Sequence, residues 1–281
     1  MPTTPLRTTG AHIHHEVRGE GPLLVLVGSP MGAAFFAPAA DLLAADHTVV
    51  TLDPRGTGRS TVDDPDADST PEVRADDLAA VIRDVDAGPA VVVGSSGGAV
   101  TALALAQRHP DLVRAVVAHE PPVTELLDDR ETQRATTERI VATYLSEGSG
   151  PAWSLFLADA GISSPDDGAV TATGAEPPEE DTRDPQEVAD ERHFFLHEMR
   201  PTTLFAPDLD ALRTGAATIV VGIGDTSAGQ LCDHTSRALA GALGLAPTLF
   251  PGGHVGFVED PPAFVARLRE VLAELPAQAH Q

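Results

Sequence analysis

A chain of 281 residues, 42 % of them apolar, is long enough to bury a substantial core, either in one α/β domain or in a domain with an insertion. Its 18 basic residues are all arginine and face 42 acidic residues, so the net charge of −24 makes nucleic acid and anionic membrane surfaces poor partners. The absence of lysine excludes a catalytic lysine and a Schiff base, and a single cysteine, Cys232, excludes an internal disulfide.

No targeting or cofactor signal stands out in the chain. The first residues, Met1 to Gly10, lack the apolar run of a signal peptide, and no stretch approaches the roughly 20 apolar residues of a membrane span. Nothing near Cys232 resembles a metal cluster. We therefore expect a cytoplasmic protein that acts on a small molecule without a metal or an organic cofactor. A homodimer is one candidate assembly.

The first part of the chain alternates between strand and helix patterns. Several of its apolar runs are continuous, which is typical of strands covered on both faces of a parallel sheet. Thr70 and Pro71 supply the capping residue and the first-position proline of a helix. In chain order the pattern predicts a pair of short strands around 12–17, a strand at 23–27, a helix at 33–45, a strand at 48–52, a helix from 70 to about 87, a strand at 90–93, a helix at 97–109 and a strand at 113–118.

The alternation stops between about Pro121 and Pro207 and then returns. Within this interval the pattern predicts helices at 131–145, 152–160 and 188–199, and a mobile acidic loop at 163–186. A strand at 217–221, a helix at 227–243, a strand at 247–250 and a helix at 261–275 follow. The expected architecture is a mostly parallel sheet flanked by helices, with a core domain at 1–120 and 208–281 and a helical cap at 121–207 inserted after the sixth strand.

The motif with the clearest chemical content is Gly94-Ser95-Ser96-Gly97-Gly98, which fits G-x-S-x-G. An apolar strand leads into it and a helix of small residues leads out, so Ser96 is expected on a sharp strand-to-helix turn. Glycine suits such a turn because its backbone is crowded against its neighbours. The pattern predicts Ser96 as a nucleophile near the positive end of the helix that follows.

A serine nucleophile needs a base, and the base needs an acid to orient it. His254 follows the last predicted strand in a glycine-rich loop, where parallel-sheet folds place site residues. Asp225 follows the preceding strand and completes the order serine, acid, histidine. Asp225 also suits a helix cap, and Glu120, after the strand at 113–118, is the alternative acid.

These motifs together resemble the α/β-hydrolase family with a lid domain, over nearly the whole chain outside 163–186. The family's loop His-Gly-x-Pro is matched by Val27-Gly28-Ser29-Pro30, and its D-x-R-G-x-G-x-S loop by residues 53–60. The resemblance implies an oxyanion hole made by the backbone N–H groups of Ser29 and Gly97. Ser29 is then expected to act through its backbone and not its side chain. Val27 departs from the histidine that braces this loop in many relatives.

The implied reaction is two-step acyl transfer on an ester, lactone or thioester of a small hydrophobic molecule, as in a carboxylesterase. A nucleophilic serine argues against the epoxide hydrolases and dehalogenases of the same fold, which use aspartate. The same triad could also serve perhydrolysis, C–C bond hydrolysis or aminopeptidase activity, and a binding protein that keeps the triad without turnover is a further alternative. Substrate choice is expected in the cap, where the candidate pocket residues are Trp153, Phe156, Phe195, His197 and Met199.

Overall fold

The computed structural model describes residues 5–162 and 183–276. Most of the predicted acidic loop, 163–186, lies outside these ranges. Its last two residues, Pro185 and Gln186, belong to a helix that Asp184 caps by accepting a hydrogen bond from the Gln186 N–H at 2.9 Å.

Seven strands form the main sheet in the order β10-β9-β8-β7-β4-β5-β3, and β1, β2 and β6 form a small separate sheet. All neighbours in the main sheet are parallel except β3, which runs antiparallel to β5. The strands are β1 (Leu6–Thr8), β2 (Ala11–Ile13), β3 (His15–Arg18), β4 (Leu23–Val27), β5 (Thr48–Leu52), β6 (Thr61–Val62), β7 (Ala90–Ser95), β8 (Val113–His119), β9 (Thr218–Gly224) and β10 (Thr248–Phe250).

Helices cover both faces of this sheet, as the continuous apolar strands require. Residues of α2, α3 and α9 pack on one face, and residues of α1, α10 and α11 pack on the other. The helices of the described ranges are α1 (Ala33–Leu43), α2 (Pro71–Val85), α3 (Gly97–Arg108), α4 (Arg130–Glu147), α5 (Ser149–Ala160), α6 (Pro185–His193), α7 (Met199–Thr203), α8 (Leu209–Thr214), α9 (Leu231–Leu243), α10 (Gly256–Glu259) and α11 (Pro261–Glu274). The expected mostly parallel sheet flanked by helices is confirmed.

Local sequence explains most element boundaries. Thr70 caps α2 by accepting a hydrogen bond from the Val73 N–H, and Asp86 ends that helix in the left-handed conformation. Helix α9 begins at Leu231, four residues later than the pattern predicts, because the chain from 225 to 230 turns first, with Gly229 at a φ of +83°. The short elements β1, β6, α8 and α10 carry too few residues to show a periodic signal.

We use the name cap for the described residues between β8 and α8, which are 120–162 and 183–208. The cap follows β8, which is the eighth strand in chain order and not the sixth as predicted, because β1 and β6 are too short to be predicted. Its helices pack around their own small cluster of aromatic and aliphatic side chains. Between α6 and α7 the chain forms a π-helical segment, Phe194–Glu198. In the described ranges, no helix has the length and apolarity needed to cross a membrane.

Candidate active site

Ser96 lies on the expected turn between β7 and α3, at the carboxyl edge of the sheet. Its backbone adopts a φ of +55°, which non-glycine residues rarely adopt. The turn is held by the Ser96 N–H, which donates to the His119 carbonyl at 3.0 Å. Gly98 is required here, because a Cβ at that position would lie 2.2 Å from the Val27 carbonyl oxygen. The side chain of Ser96 is half-buried at the floor of a cavity.

Glu120, and not Asp225, is the acid that contacts the histidine. Glu120 follows β8 with a fully buried side chain, and its Oε2 lies 2.6 Å from Nδ1 of His254. Its other oxygen, Oε1, accepts the Gly224 N–H at 2.8 Å, so both oxygens are held. Glu120 also has a positive φ, +52°, and strained backbone of this kind concentrates at functional sites.

The prediction that Asp225 contacts His254 is therefore wrong. Asp225 is exposed, and its Oδ1 accepts the Gly252 N–H at 3.0 Å. Its own N–H donates to the Phe250 carbonyl at 2.8 Å. Asp225 thus stabilises the turn that begins the histidine loop. The strand ends at 120 and 225 lie side by side at the same edge, which is why both carboxylates are plausible from sequence.

The buried pair has strongly perturbed protonation. Burial alone would raise the pKa of Glu120, but the His254 hydrogen bond and the two nearby imidazoles lower it to about 2. Burial alone would lower the pKa of His254, but the neighbouring Cys232 and Glu120 raise it above its ordinary value. Glu120 is thus ionised at neutral pH. Because Nδ1 is bonded to Glu120, only Nε2 of His254 remains to accept a proton from a nucleophile.

The residues around His254 could in principle hold a metal ion instead. Donor atoms of Glu120, Cys232 and His254 lie within 4.8 Å of one another. Two ligands of one tetrahedral zinc ion stand roughly 3.3 Å apart, given zinc–ligand bonds of about 2.0 to 2.1 Å. The Glu120–His254 separation of 2.6 Å is shorter than this and is that of a charge-assisted hydrogen bond. The observed geometry therefore fits an acid–histidine pair better than a metal centre.

The two residues expected to form the oxyanion hole are neighbours in the structure. Ser29 follows β4 and Gly97 follows Ser96, and both line the cavity with Ser96 and His254. A Cβ on Gly97 would lie 2.5 Å from the Ser29 Oγ, which shows how closely the two loops approach. The Ser29–Pro30 peptide is cis, and Pro30 has no N–H to donate.

The cavity above Ser96 lies between the sheet edge and the cap and has an empty volume of about 630 Å³, counting its open mouth. Phe156 and Met199, two of the predicted pocket residues, line it. The other three do not. The Trp153 indole stacks on Phe194, and its Nε1–H donates to Oε1 of Glu191 at 3.1 Å. Phe195 is fully buried and stacks on Tyr144. Nδ1 of His197 lies 3.5 Å from Oδ1 of Asp68. Large apolar side chains in the cap mostly pack against one another.

Comparisons with known proteins support the fold described above. A family model described as the alpha/beta hydrolase fold matches residues 21–156. The chain therefore has the α/β-hydrolase fold.

Individual known proteins align along almost the whole chain. The uncharacterized hydrolase YraK of Bacillus subtilis is 28 % identical over 274 residues, which cover 95 % of this chain and 94 % of that protein. A thermophilic esterase from Thermogutta terrifontis superposes with a TM-score of 0.64 at 20 % identity, covering 98 % of both chains. The enol-lactonase from Burkholderia xenovorans LB400 superposes with a TM-score of 0.64 at 20 % identity, covering 94 % of this chain and 98 % of that one. The two structural likenesses show the fold alone.

Several cavity residues were not predicted from the α/β-hydrolase motifs. Phe194, Glu198 and Asp159 line the cavity from the cap, and Cys232 lines it from the start of α9. Burial raises the pKa of Asp159. The sequence position of Glu120 did indicate a role, because an acid directly after the parallel strand next to the nucleophile strand lies at the same sheet edge as the nucleophile. No sequence pattern identifies Phe194 or Glu198 as cavity residues, because a π-helical segment shifts which side chains face inward.

Proposed function

We propose that this protein is a serine hydrolase in which Ser96 is the nucleophile, His254 the general base and Glu120 the orienting acid. The observation that carries the proposal is the 2.6 Å hydrogen bond between Glu120 and His254, beside a cavity that Ser96 also lines. This geometry holds Nδ1 of the imidazole against Glu120, so Nε2 is the nitrogen that acts as base. It also stabilises the imidazolium that forms during reaction.

The proposed reaction proceeds through an acyl-enzyme. Nε2 of His254 takes the proton of the Ser96 hydroxyl as its oxygen attacks the substrate carbonyl carbon. The resulting oxyanion accepts hydrogen bonds from the N–H groups of Ser29 and Gly97. His254 then gives its proton to the leaving group, whose bond to the carbonyl carbon breaks. Water, deprotonated in turn by His254, attacks the acyl-enzyme and releases the acid, and Ser96 regains its proton.

An ester, lactone or thioester of a small hydrophobic molecule is the proposed substrate. Phe156, Phe194, Met199 and Ile140 give the cavity a predominantly apolar wall, with polar groups both at the sheet edge and in the cap. The described cavity lining contains no arginine, which together with the charge of −24 disfavours anionic substrates.

The test is labelling by a fluorophosphonate probe followed by turnover of p-nitrophenyl esters and matching anilides. We expect the wild-type protein and Ser95→Ala to be labelled and Ser96→Ala to remain unlabelled. Ser95 is a matched control because it is adjacent but buried in β7, near His119. Labelling of Ser96→Ala would exclude Ser96 as the nucleophile. Labelling without turnover of any ester would favour one of the other triad chemistries or a binding role.

A further inference from the structure

The Ser29 side chain lies in a buried polar cluster that joins the core to the cap. Arg74 of α2 donates from Nη1 to the Ser29 Oγ at 2.9 Å, and the Ser29 hydroxyl donates to Oε1 of Glu198 at the end of the π-helical segment. Arg74 Nη1 and Glu198 Oε1 are also 3.2 Å apart, with side chains 3 % and 1 % exposed. Three distant segments of the chain therefore converge on one hydroxyl.

Both charged members of this cluster are themselves held. Nη2 of Arg74 donates to the Thr202 Oγ1 at 2.7 Å, and the Thr202 hydroxyl donates to the Glu198 carbonyl at 2.7 Å. The backbone next to Glu198 is fixed to the core, because the Ser69 N–H donates to the His197 carbonyl at 2.8 Å. The Ser29 hydroxyl therefore lies between the held guanidinium of Arg74 and the carboxylate of Glu198, whose backbone is anchored on both sides.

The cluster lies beside the predicted oxyanion hole. The Ser29 Oγ is the atom that a Cβ on Gly97 would meet first, at 2.5 Å. Val27, which ends β4 just before this loop, is apolar and buried and offers no polar side chain to hold the loop. The polar contacts of the Ser29 side chain come instead from Arg74 and Glu198.

We propose that Arg74 and Glu198 are positioning residues that hold the Ser29 backbone N–H in the oxyanion hole by fixing the Ser29 hydroxyl. This inference rests on the proposed function, in which that N–H binds the developing oxyanion. It gives the Ser29 side chain a role that the sequence motifs do not. With this role, the activity also depends on how the cap packs on the core, because Glu198 belongs to the cap and Arg74 to the core.

Ser29→Ala is the sharpest variant for this proposal. It removes the hydroxyl but keeps the backbone N–H, and it leaves Arg74 and Glu198 paired with each other at 3.2 Å. Glu198→Ala is less suitable because it would leave the Arg74 charge buried without its partner, which commonly destabilises a fold. Glu198→Gln is the conservative variant, since the amide oxygen can still accept from Ser29.

The experiment compares the rate constant for phosphonylation of Ser96 with kcat and KM for a p-nitrophenyl ester. For Ser29→Ala we expect kcat and the phosphonylation rate to fall about 10- to 100-fold, with KM within about 3-fold of wild type. Glu198→Gln should retain most of both rates. Asp190→Ala is the matched control, because Asp190 joins cap to core by accepting the Gly58 N–H at 3.0 Å without touching Ser29.

Unchanged rates in Ser29→Ala would overturn the proposal, as would an equal loss in Asp190→Ala, which would point to general docking of the cap. Phosphonylation without ester turnover would contradict the proposed function, while the relative labelling rates of the variants would still decide this inference. A thermal unfolding midpoint for each variant shows that the folded protein is being compared.

Discussion

The carboxyl edge of the sheet and the cap are built by different physical rules. At the edge, strand register sets the position of each residue: Ser95 pairs with His119, His119 with Gly222, and Phe250 with Gly224. In the cap, aromatic rings pack against one another without a repeating register, as Trp153 and Phe194 do. The edge therefore carries chemistry that motifs can predict, and the cap carries packing that they predict poorly.

A large effect at the edge is expected from Gly97→Ala. The added methyl group would meet the Ser29 Oγ at 2.5 Å and push the two halves of the oxyanion hole apart. We expect kcat/KM to fall roughly 100-fold, as for a misplacement of about 1 Å in a catalytic group. Gly241→Ala in α9 is the control, because its Cβ would meet open space. Steady-state kinetics of both variants make the comparison, and equal activities would show that the edge tolerates displacement.

A smaller effect is expected from shortening a cavity wall in the cap. Phe156→Ala enlarges the cavity on its apolar side, so the ratio of kcat/KM for long over short acyl chains should rise about 10-fold. Leu145→Ala, on the exposed side of the same cap, should leave this ratio unchanged. A panel of p-nitrophenyl esters from C2 to C10 measures it. The same ratio in both variants would remove Phe156 from the substrate site.

The smallest effect is a shift of the pH profile. His254 must be neutral to accept the serine proton, and Cys232 and Glu120 raise its pKa against the effect of burial. Activity should therefore rise with pH, with a midpoint above 6.5. Glu120→Gln removes one negative neighbour, so in its residual activity the midpoint should move down by about 1 unit or more. Initial rates from pH 5 to 10 test this, and an upward shift or a flat profile would contradict it.

Sequence predicted the fold well because most strands and helices are long and regularly patterned. It also predicted that Ser96, His254, Ser29 and Gly97 follow strands of the same sheet. It favoured Asp225 over Glu120 and was wrong, because both follow parallel strands and the choice depends on which side chain is buried. In the cap, Trp153, Phe195 and His197 were expected at the cavity, but the π-helical segment instead turns Phe194 and Glu198 toward it.

The most direct test of the central claim, that Glu120 orients His254, is a comparison of kcat for Glu120→Gln and Asp225→Asn. The uncharged glutamine does not stabilise the imidazolium, and its amide does not hold the imidazole in the same tautomer as the carboxylate does. We therefore expect kcat to fall about 10³- to 10⁴-fold. The asparagine keeps an oxygen for the Gly252 N–H and should stay within about 3-fold of wild type. A large loss in Asp225→Asn with near wild-type activity in Glu120→Gln would contradict the account.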